Sequence, residues 1–386
     1  MSTSIMHHAA LKHRGGAVRV ARLLQAAQVA AGLDARFSYE LEENDPEALG
    51  AETPLVACPE AAAKTGGQRT HPAALARRAS ELPPDGVTHL HTSSDWPNVL
   101  EGLLDSNTAS GLVITLHDAT PLTGGCAYPL DCPHFPACAD PCPRQYPQAR
   151  LRQAHLRTLL DRLEPLLVSP SSWLAGLARA VLPERHVRVI PNGVPWPDLA
   201  TLPRKQDARA ALGIAPGAKV VLFAAHGGAR AAYKSGTAWP AFFSRIASRV
   251  PGAVGFAAGG DEAATRNGLT IWPYLDRARL ALLMRAADCL VYPTLADNHP
   301  LVLLEAAALE LPVASFSVGG VPEIVSHGIT GLLAPAGHDD ALVDHAVSLL
   351  TAPALARTMG RNARDQGGKR FSVQRMAADY QKLLGG

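Results

Sequence analysis

Two carboxylates, Asp297 and Glu305, stand eight positions apart within ADNHPLVLLEAAALELPVA (residues 296–314). The Asn-His-Pro of positions 298–300 predicts a helix start capped by the asparagine or the histidine, because proline suits a first turn that needs no amide hydrogen. Amides exposed at a helix start bind anions, phosphate especially. A carboxylate at position 305 can accept hydrogen bonds from a vicinal diol such as a ribose. The alternative is a buried amphipathic helix that carries an acidic pair by chance.

Basic residues follow the first apolar strand of the second half of the chain, in HGGARAAYKSG (residues 226–236). Lys234 and Arg230 are candidates for pairing with a diphosphate, because ammonium and guanidinium groups donate strong hydrogen bonds to phosphate oxygens. Each of the two can instead be an ordinary solvated basic side chain.

Pairs of glycine precede two predicted helices. Gly15 and Gly16 lead into an amphipathic segment, and glycine lets the backbone approach a ligand closely or adopt a positive φ. The pair lacks the spacing G-x-G-x-x-G of the dinucleotide fingerprint, and it can be no more than a tight turn. Gly319 and Gly320 repeat the device in SVGGVPEIV, where Glu323 suits the first helical turn and is interpreted as structural.

His117 and Asp118 end a predicted strand in TLHD. The imidazole can donate to a sugar hydroxyl or stabilise a developing charge, with Asp118 orienting it. A structural histidine at the end of a strand would have the same pattern.

Four cysteines lie in one proline-rich segment, TGGCAYPLDCPHFPACADPCP, with the spacing C-x5-C-x5-C-x3-C: Cys126, Cys132, Cys138 and Cys142. Four thiolates in one loop can bind a structural zinc, and His134 can replace one sulfur. Two disulfides or four free thiols are the alternatives, and zinc fits a cytosolic protein better than disulfides do. The gaps of five residues exceed the usual spacing of zinc ligands. We expect a metal with a structural role and no metal chemistry.

Bulk properties set the class of protein. A chain of 386 residues predicts two domains, and 47% hydrophobic with 18% charged residues is typical of a soluble globular protein. The net charge of +2 gives no strong attraction to nucleic acid. No apolar run reaches the length of a membrane span, and the N-terminus has no apolar core of a signal peptide. We therefore expect a cytoplasmic protein, with peripheral contact at the inner face of a membrane left open.

Short apolar runs alternate with helical segments, which predicts an α/β protein with parallel sheets and crossover helices. One series of strands runs from GVTHLHTS (86–93) to ERHVRVIPNGV (184–194), and a second runs from AKVVLFAAHGG (218–228) to TGLLAP (330–335). A linker is predicted from position 192 to about position 208, and SVQRMAADYQKLL forms a helical tail. Two doubly wound, Rossmann-like sheets in tandem predict an interdomain cleft, with ligands at the carboxyl ends of the strands.

The chain resembles the large group of retaining glycosyltransferases with the GT-B fold, over nearly its whole length. The segments similar to that family are VSPSSWLA, VRVIPNGVP, ARAALGI, LVLLEAAALELPVASFSVGGVPEIV, HGITGLLAP and YQKLL. TLHD followed by TGGC and a Cys-rich loop resembles a subset common in bacterial polysaccharide biosynthesis. The resemblance implies an acceptor-side domain over 1–195 with the Cys-rich loop at 123–143. It also implies a nucleotide-sugar donor domain over 196–370 and a helix over 371–386 that packs back on the first domain.

The family motif is a pair of glutamates with seven residues between them, and Asp297 and Glu305 match it with a shorter first acid. By resemblance, Glu305 binds the donor ribose and Asp297 faces the donor sugar. The helix start, formed by Asn298, His299, Pro300 and Leu301, is expected to hold diphosphate or sugar through the amides of positions 299–301.

Further donor-site residues are implied by the same resemblance. Lys234 matches a diphosphate-binding lysine. The family often has an arginine where this chain has Gly228, and we expect Arg230 to substitute for it. Gly16 matches the loop near the diphosphate, and His117 matches a histidine near the sugar. The resemblance thus implies catalytic roles for His117, Asp297 and Lys234.

The implied reaction is transfer of a hexosyl group from a nucleotide diphosphate sugar to a glycan or lipid-linked glycan, with retained configuration. No cofactor is expected for the chemistry, because the family generally needs no divalent metal. The basic stretch from Arg144 to Arg162 can meet anionic lipid or can be a solvated helix face. The alternatives are transfer to a small-molecule aglycone, an epimerase or phosphorylase with a similar fold, and a non-catalytic nucleotide-sugar binder.

Overall fold

The computed structural model describes residues 4–41, 67–69, 71, 74–106, 111–224, 233, 238–259, 263–272 and 275–385. The chain divides into two compact units. Unit 1 comprises Met1–Asn44, Pro59–Asn192 and Met376–Gly386, and unit 2 comprises Asp45–Cys58 and Gly193–Arg375. Among the described helices, none is long and apolar enough to cross a membrane.

Unit 1 is built on a seven-stranded sheet in the order β3-β2-β1-β4-β5-β6-β7, with every pair of strands parallel. The strands are β1 (Ser4–Leu11), β2 (Asp34–Leu41), β3 (Gly67–Arg69), β4 (Val87–Leu90), β5 (Gly111–Thr115), β6 (Leu166–Ser169) and β7 (Val187–Val189). The helices are α1 (Gly16–Ala30), α2 (Leu75–Ala79), α3 (Trp96–Asp105), α4 (Ala149–Leu163), α5 (Ser172–Val181) and, at the C-terminus, α13 (Val373–Gly385). The strand order reverses between β1 and β4, which is where ligands bind in open sheets of this kind.

Strand β1 was not predicted from the sequence. Its sequence, SIMHHAAL, has five consecutive buried residues that include His7 and His8. The two histidines interrupt the apolar run that marks a buried strand, so the local pattern does not indicate one. The strand lies inside the sheet and pairs with β2 on one side and β4 on the other.

Unit 2 contains a second seven-stranded sheet in the order β10-β11-β9-β8-β12-β13-β14. Its strands are β8 (Lys219–Ala224), β9 (Ala253–Ala258), β10 (Ala264–Arg266), β11 (Leu269–Trp272), β12 (Cys289–Tyr292), β13 (Val313–Phe316) and β14 (Gly331–Ala334). Its helices are α6 (Lys205–Ala211), α7 (Trp239–Ala247), α8 (Arg277–Ala286), α9 (Leu301–Ala308), α10 (Val321–Ile324), α11 (Asp339–Thr351) and α12 (Pro353–Arg370). All pairs are parallel except the β10–β11 hairpin at the edge.

Local chemistry explains two features of unit 2. The hairpin turns at Asn267 and Gly268, both at positive φ, the geometry that an Asn-Gly turn favours. The last residues of the stretch predicted as a linker form the start of helix α6, which begins at Lys205. Side chains of this helix bond to Asp288, the residue before strand β12. Asp288 accepts hydrogen bonds from the side chains of Lys205 and Arg209, at 2.5 and 2.9 Å. One of the charged residues that suggested a linker, Lys205, thus anchors a helix.

Candidate active site

Asp297 lies after the carboxyl end of β12, beside the position where the strand order of unit 2 reverses between β8 and β12. The hydroxyl of Tyr292 donates a hydrogen bond of 2.7 Å to the Oδ2 atom of Asp297, and the aspartate is only 7% exposed. Tyr292 is the last residue of β12, so the strand itself fixes the orientation of the carboxylate. No sequence pattern indicates this role for the tyrosine, because contact across a loop of four residues depends on how the loop folds.

The backbone of Asp297 is held by the Gly-Gly segment that follows β13. The amide of Gly320 donates to the carbonyl of Asp297 at 2.9 Å. Gly319 has a φ of +56°, and a Cβ atom at that position would lie 2.1 Å from the carbonyl oxygen of Asp297. The sequence predicted a close backbone approach at Gly319 and Gly320. In the structure, their backbone packs closely against the backbone of Asp297.

Helix α9 begins one residue later than expected. Pro300 occupies the N-cap position, with φ −65° and ψ 119°, and Leu301 is the first helical residue. Neither Asn298 nor His299 is the cap, and proline has no amide hydrogen to offer an anion. Within the stretch 299–301, only the amides of His299 and Leu301 can therefore donate to a ligand.

His299 is buried, and its ring packs edge-on against Phe371 with 5.4 Å between ring centroids. Burial, together with the charges of Arg375 and Arg370, lowers the pKa of His299 to about 3. The imidazole is thus neutral at pH 7. Its side chain packs within unit 2, and donor binding by its backbone remains a prediction. Asn298 and Leu301 are also buried.

Glu305 lies on α9, and its Oε1 atom accepts a hydrogen bond of 3.2 Å from the Nη1 atom of Arg277. The carboxylate is 18% exposed and the guanidinium is 30% exposed. Arg277 begins helix α8, which Asp276 caps by accepting from the amide of Arg279. Arg277 was not predicted as a partner of Glu305, because 28 positions separate the two residues in the sequence.

Lys234 and Arg230 lie outside the described residues, as does Gly228. Tyr233, which precedes Lys234 in the sequence, is described. Its carbonyl accepts hydrogen bonds from the amide of Leu295 at 2.6 Å and from the hydroxyl of Thr294 at 3.1 Å. These contacts attach the Tyr233 backbone to the loop that carries Asp297.

In unit 1, His117 follows the carboxyl end of β5. Its Nε2 atom lies 3.1 Å from the Nδ1 atom of His91, and the two rings stack with 5.3 Å between centroids. Burial lowers the pKa of His117 to about 3, so the ring is neutral at pH 7. The expectation that Asp118 orients His117 is wrong. The Asp118 carboxylate accepts from the amide and hydroxyl of Thr120 instead, at 2.8 and 2.5 Å.

His117 is one end of a buried histidine network that the sequence analysis did not identify. The Nε2 atom of His91 lies 3.1 Å from the Nδ1 atom of His7, and the Nε2 atom of His7 lies 2.7 Å from the Oε1 atom of Gln28. His89 packs between these rings, 5.1 Å from His7 and 4.1 Å from His91 between centroids. The available signal was the spacing H-x-H in THLHT, because residues two apart on a strand share a face.

The other predicted sites in unit 1 are a helix start and a loop. Gly16 is the first residue of α1, and Gly15 before it carries the positive φ of +101°. Close approach of this helix start to a diphosphate remains a prediction.

The cysteine-rich loop is fastened to helix α4 through Gln153. Its side chain accepts from the amide of Cys138 at 2.6 Å and donates to the carbonyls of Leu122 and Pro136 at 3.0 and 2.9 Å. The four cysteines of the loop are half-buried, and none is in a disulfide. Among the described residues, no three of their sulfur atoms lie within 4.8 Å of one another. Burial raises the pKa of the Cys126 and Cys138 thiols. Zinc binding at this loop remains a prediction.

Comparison with known proteins finds similarity to one family over part of the chain. A sequence model described as glycosyl transferases group 1 matches residues 261–366, which include Asp297, Glu305 and Gly319. The chain is 31% identical over 240 residues to D-inositol 3-phosphate glycosyltransferase of Mycobacterium avium, covering 56% of this chain and 54% of that protein. It is 33% identical over 104 residues to N-acetyl-alpha-D-glucosaminyl L-malate synthase of Bacillus anthracis, covering 27% of each. The matches thus span about half or less of these relatives.

The structural likeness extends over the whole chain. The Anabaena protein HepE, solved in complex with UDP-glucose, superposes with a TM-score of 0.72 at 16% identity, covering 99% of both chains. At this identity the likeness shows the fold, and it confirms the predicted α/β architecture of two parallel-sheet domains. Residues 261–366 thus resemble the group 1 glycosyl transferases in sequence, and the chain has the GT-B fold.

Proposed function

We propose that this protein is a retaining hexosyltransferase that moves a hexosyl group from a nucleotide diphosphate sugar to a glycan or lipid-linked glycan in cell-surface polysaccharide synthesis. The observation that carries the proposal is the fixed position of Asp297. Its carboxylate is bound by Tyr292 and its backbone by the Gly319–Gly320 turn, next to the start of helix α9. A group that must meet a sugar in one orientation needs this preorganisation, because reorienting it during the reaction would cost catalytic free energy.

Glu305 is proposed to bind the ribose of the donor. The guanidinium of Arg277 bonds one carboxylate oxygen of Glu305 at 3.2 Å and so restricts the orientation of the carboxylate. Arg277 is therefore proposed to position Glu305 and not to contact the reacting atoms. The role of Glu305 as a ligand, and not as an acid or base, is the one that the sequence resemblance implies.

Departure of the nucleotide diphosphate builds negative charge on its phosphate oxygens. We assign the stabilisation of this charge to Lys234, to Arg230 and to the amides at the start of α9, as the sequence resemblance implies. The acceptor hydroxyl attacks the anomeric carbon on the face that the leaving group departs from. Its proton passes to the departing phosphate, so the anomeric C–O bond to phosphate breaks as the new C–O bond forms and the configuration is retained.

His117 is proposed to contact the donor sugar as a neutral hydrogen-bonding group. With a pKa of about 3, the ring carries no positive charge near pH 7 and cannot act as an imidazolium acid there. Its chemistry is thereby limited to donating or accepting one hydrogen bond, which suits recognition of a hydroxyl group.

A small anionic hydroxy compound is the second candidate acceptor. It is favoured by the names of two relatives, which contain D-inositol 3-phosphate and L-malate. A panel that contains lipid-linked glycans, inositol phosphates and hydroxy acids separates the candidates, with donor consumption and product mass as readouts. A small acceptor that is glycosylated at rates above those of every glycan would favour the second.

Peripheral membrane contact is proposed for helix α4, on the cytoplasmic side. Arg152, Arg157 and Arg162 are exposed on this helix, and Leu151 on the same helix is 59% exposed. Exposed basic side chains beside apolar ones bind anionic headgroups. Sedimentation with anionic vesicles, compared with neutral vesicles, tests the contact, and replacing the three arginines by glutamine is expected to abolish it.

The cysteine-rich loop is proposed to hold a structural zinc and to shape the acceptor side. The four thiols lie in one loop that Gln153 holds against α4. Chelation should then impair stability or acceptor use more than donor binding, and no cofactor is proposed for the chemistry itself. Unchanged stability and activity after chelation would count against this role.

The site assignment is tested by comparing Glu305→Gln with Glu310→Gln. Both changes remove one carboxylate charge and keep the side-chain shape, but Glu310 lies beyond the end of α9. We expect Glu305→Gln to lower donor affinity, and Glu310→Gln to bind donor as the wild type does. Asp297→Asn should lower turnover with a smaller effect on donor binding. Wild-type donor binding and turnover in both site variants would remove the basis of the proposal.

A further inference from the structure

Three histidines of unit 1 converge at the position where its strand order reverses. His7 of β1 pairs in register with His89 of β4. His91 lies two positions after His89, so all three side chains project from the same face of the sheet. All three are at most 1% exposed. The proposed transfer reaction uses none of them.

The ring nitrogens of the three histidines are spaced as metal ligands are. One nitrogen from each ring lies within 4.8 Å of the other two. The Nδ1 atom of His7 and the Nε2 atom of His91 are 3.1 Å apart. Imidazole nitrogens bind zinc at about 2.0–2.1 Å, which in a tetrahedron places two of them roughly 3.3 Å from each other. The observed pair is already close to that separation.

Each ring also has a partner for its second nitrogen. The Nε2 atom of His7 faces the Oε1 atom of Gln28 at 2.7 Å, and the Nε2 atom of His89 faces the hydroxyl of Thr115 at 2.7 Å. The Nδ1 atom of His91 faces His117 at 3.1 Å. Histidines that bind a metal with one nitrogen characteristically donate the other N–H to such a partner, which fixes the tautomer and the ring orientation.

One nitrogen of the cluster, Nδ1 of His89, has no hydrogen-bond partner among the residues that the structure describes. It is fully buried, whereas the opposite nitrogen of the same ring is bonded to Thr115. A buried nitrogen without a partner is unfavourable, because its hydrogen bond to water is lost on folding. A metal ion at the centre of the three rings would satisfy it.

We infer that His7, His89 and His91 form a binding site for a transition-metal ion of the zinc type inside unit 1. Zinc and its neighbours in the first transition row bind imidazole nitrogen readily. Mg²⁺ and Ca²⁺ prefer oxygen ligands, so three nitrogen donors select against them.

The site is also connected to the C-terminal helix. The hydroxyl of Tyr380 on α13 lies 2.7 Å from the Thr115 hydroxyl that bonds His89, and the Tyr380 ring lies 5.1 Å from the His89 ring between centroids. Fixing His89 on a metal would hold Thr115 and Tyr380 in place. Metal binding should therefore slow amide exchange in α13 as well as in β1 and β4.

The test uses the full-length protein loaded with Zn²⁺ after chelation. X-ray absorption at the zinc edge separates nitrogen ligands at about 2.0 Å from thiolate ligands at about 2.3 Å. In a Cys132→Ser/Cys142→Ser variant, we expect one zinc per chain, bound by nitrogen and oxygen only. His89→Asn and His7→Gln should each lose that zinc, whereas exposed His155→Gln should keep it.

The outcomes are decisive in both directions. Retention of the nitrogen-bound zinc in the cysteine variant, its loss in the histidine variants and slower exchange in α13 support the site. Zinc that only sulfur binds, or no zinc bound to the cysteine variant at micromolar free metal, overturns it. If the histidine variants fail to fold, the absorption spectrum and exchange data of the cysteine variant decide the question. Donor binding is measured in parallel, because its loss would concern the proposed transfer reaction and not the metal.

Discussion

Replacing Gly319 by alanine tests whether this glycine holds Asp297 in place. The new Cβ atom would lie 2.1 Å from the carbonyl oxygen of Asp297, and Gly319 has a φ of +56°. The left-handed conformation alone costs a residue with a Cβ about 1–2 kcal/mol. The clash with a backbone atom that cannot rotate away adds about 1–3 kcal/mol, as overpacking typically does.

Gly328→Ala is the matched control in the same unit. Gly328 has a φ of +76°, but a Cβ atom there would meet no heavy atom within 4 Å. Both variants share the backbone cost and the lower entropy of the unfolded chain. The difference between them therefore isolates the clash with Asp297, and we expect Gly319→Ala to be less stable by about 1–3 kcal/mol.

Urea titration gives the difference in unfolding free energy between the two variants. Hydrogen exchange at the amides of β12 and α9 shows whether the loss lies in unit 2. Turnover of donor is the second readout, because moving a reacting group by about 1 Å can lower a rate on the order of 10²-fold. We expect that loss in Gly319→Ala and none in Gly328→Ala. Equal stability and equal turnover of the two variants would refute the account of Asp297 positioning.

Three further predictions concern single side chains. Tyr292→Phe leaves the buried carboxylate of Asp297 without this donor, so we expect a loss of about 1–3 kcal/mol in unfolding free energy and lower turnover, measured by urea titration and donor consumption; unchanged turnover would contradict the role of this hydrogen bond. The folded-state pKa of His299, about 3, lies below the unfolded value near 6.5, so the unfolded chain binds a proton first and stability falls as pH drops from about 6.5 toward 3. His299→Gln should flatten this acid limb in unfolding curves taken across that range, and an unchanged limb would assign it to other groups. Gln153→Leu removes the partners of three backbone groups, so we expect faster proteolysis of the cysteine-rich loop and a stability loss of more than about 2 kcal/mol; a protease-resistant loop would show that other contacts hold it.

Much of the fold was predictable because apolar periodicity is a local signal. The strands around Val113, Val168, Val221 and Val291 were identified, since each is a short apolar run between polar turns. Strand β1 was missed for the same reason, because His7 and His8 interrupt its apolar run. Their burial depends on partners from other strands, namely Ser38 for His8 and His91 for His7. No local pattern contains that information.

In the candidate active site, too, residues marked by local spacing were predicted, and their partners from distant segments were not. Asp297, Glu305 and the glycines of SVGGVPEIV were found because their spacing within one or two adjacent segments is itself the signal. Their partners, Tyr292 and Arg277, were not found. The contact of Arg277 with Glu305 joins two helices separated by a strand, and the tyrosine hydroxyl reaches Asp297 only because the loop of positions 293–296 folds back.

By itself, the sequence determined the alternation of strands and helices, the position of the acidic helix start and the family that it resembles. These depend on residue type and spacing, which a linear chain displays directly. Only the tertiary structure decided that His299 packs against Phe371, that Thr120 and not His117 engages Asp118, and that three histidines from two strands meet in one buried cluster. Burial and hydrogen bonding between distant segments exist only after the sheet has assembled, and they set the charge and orientation of each group.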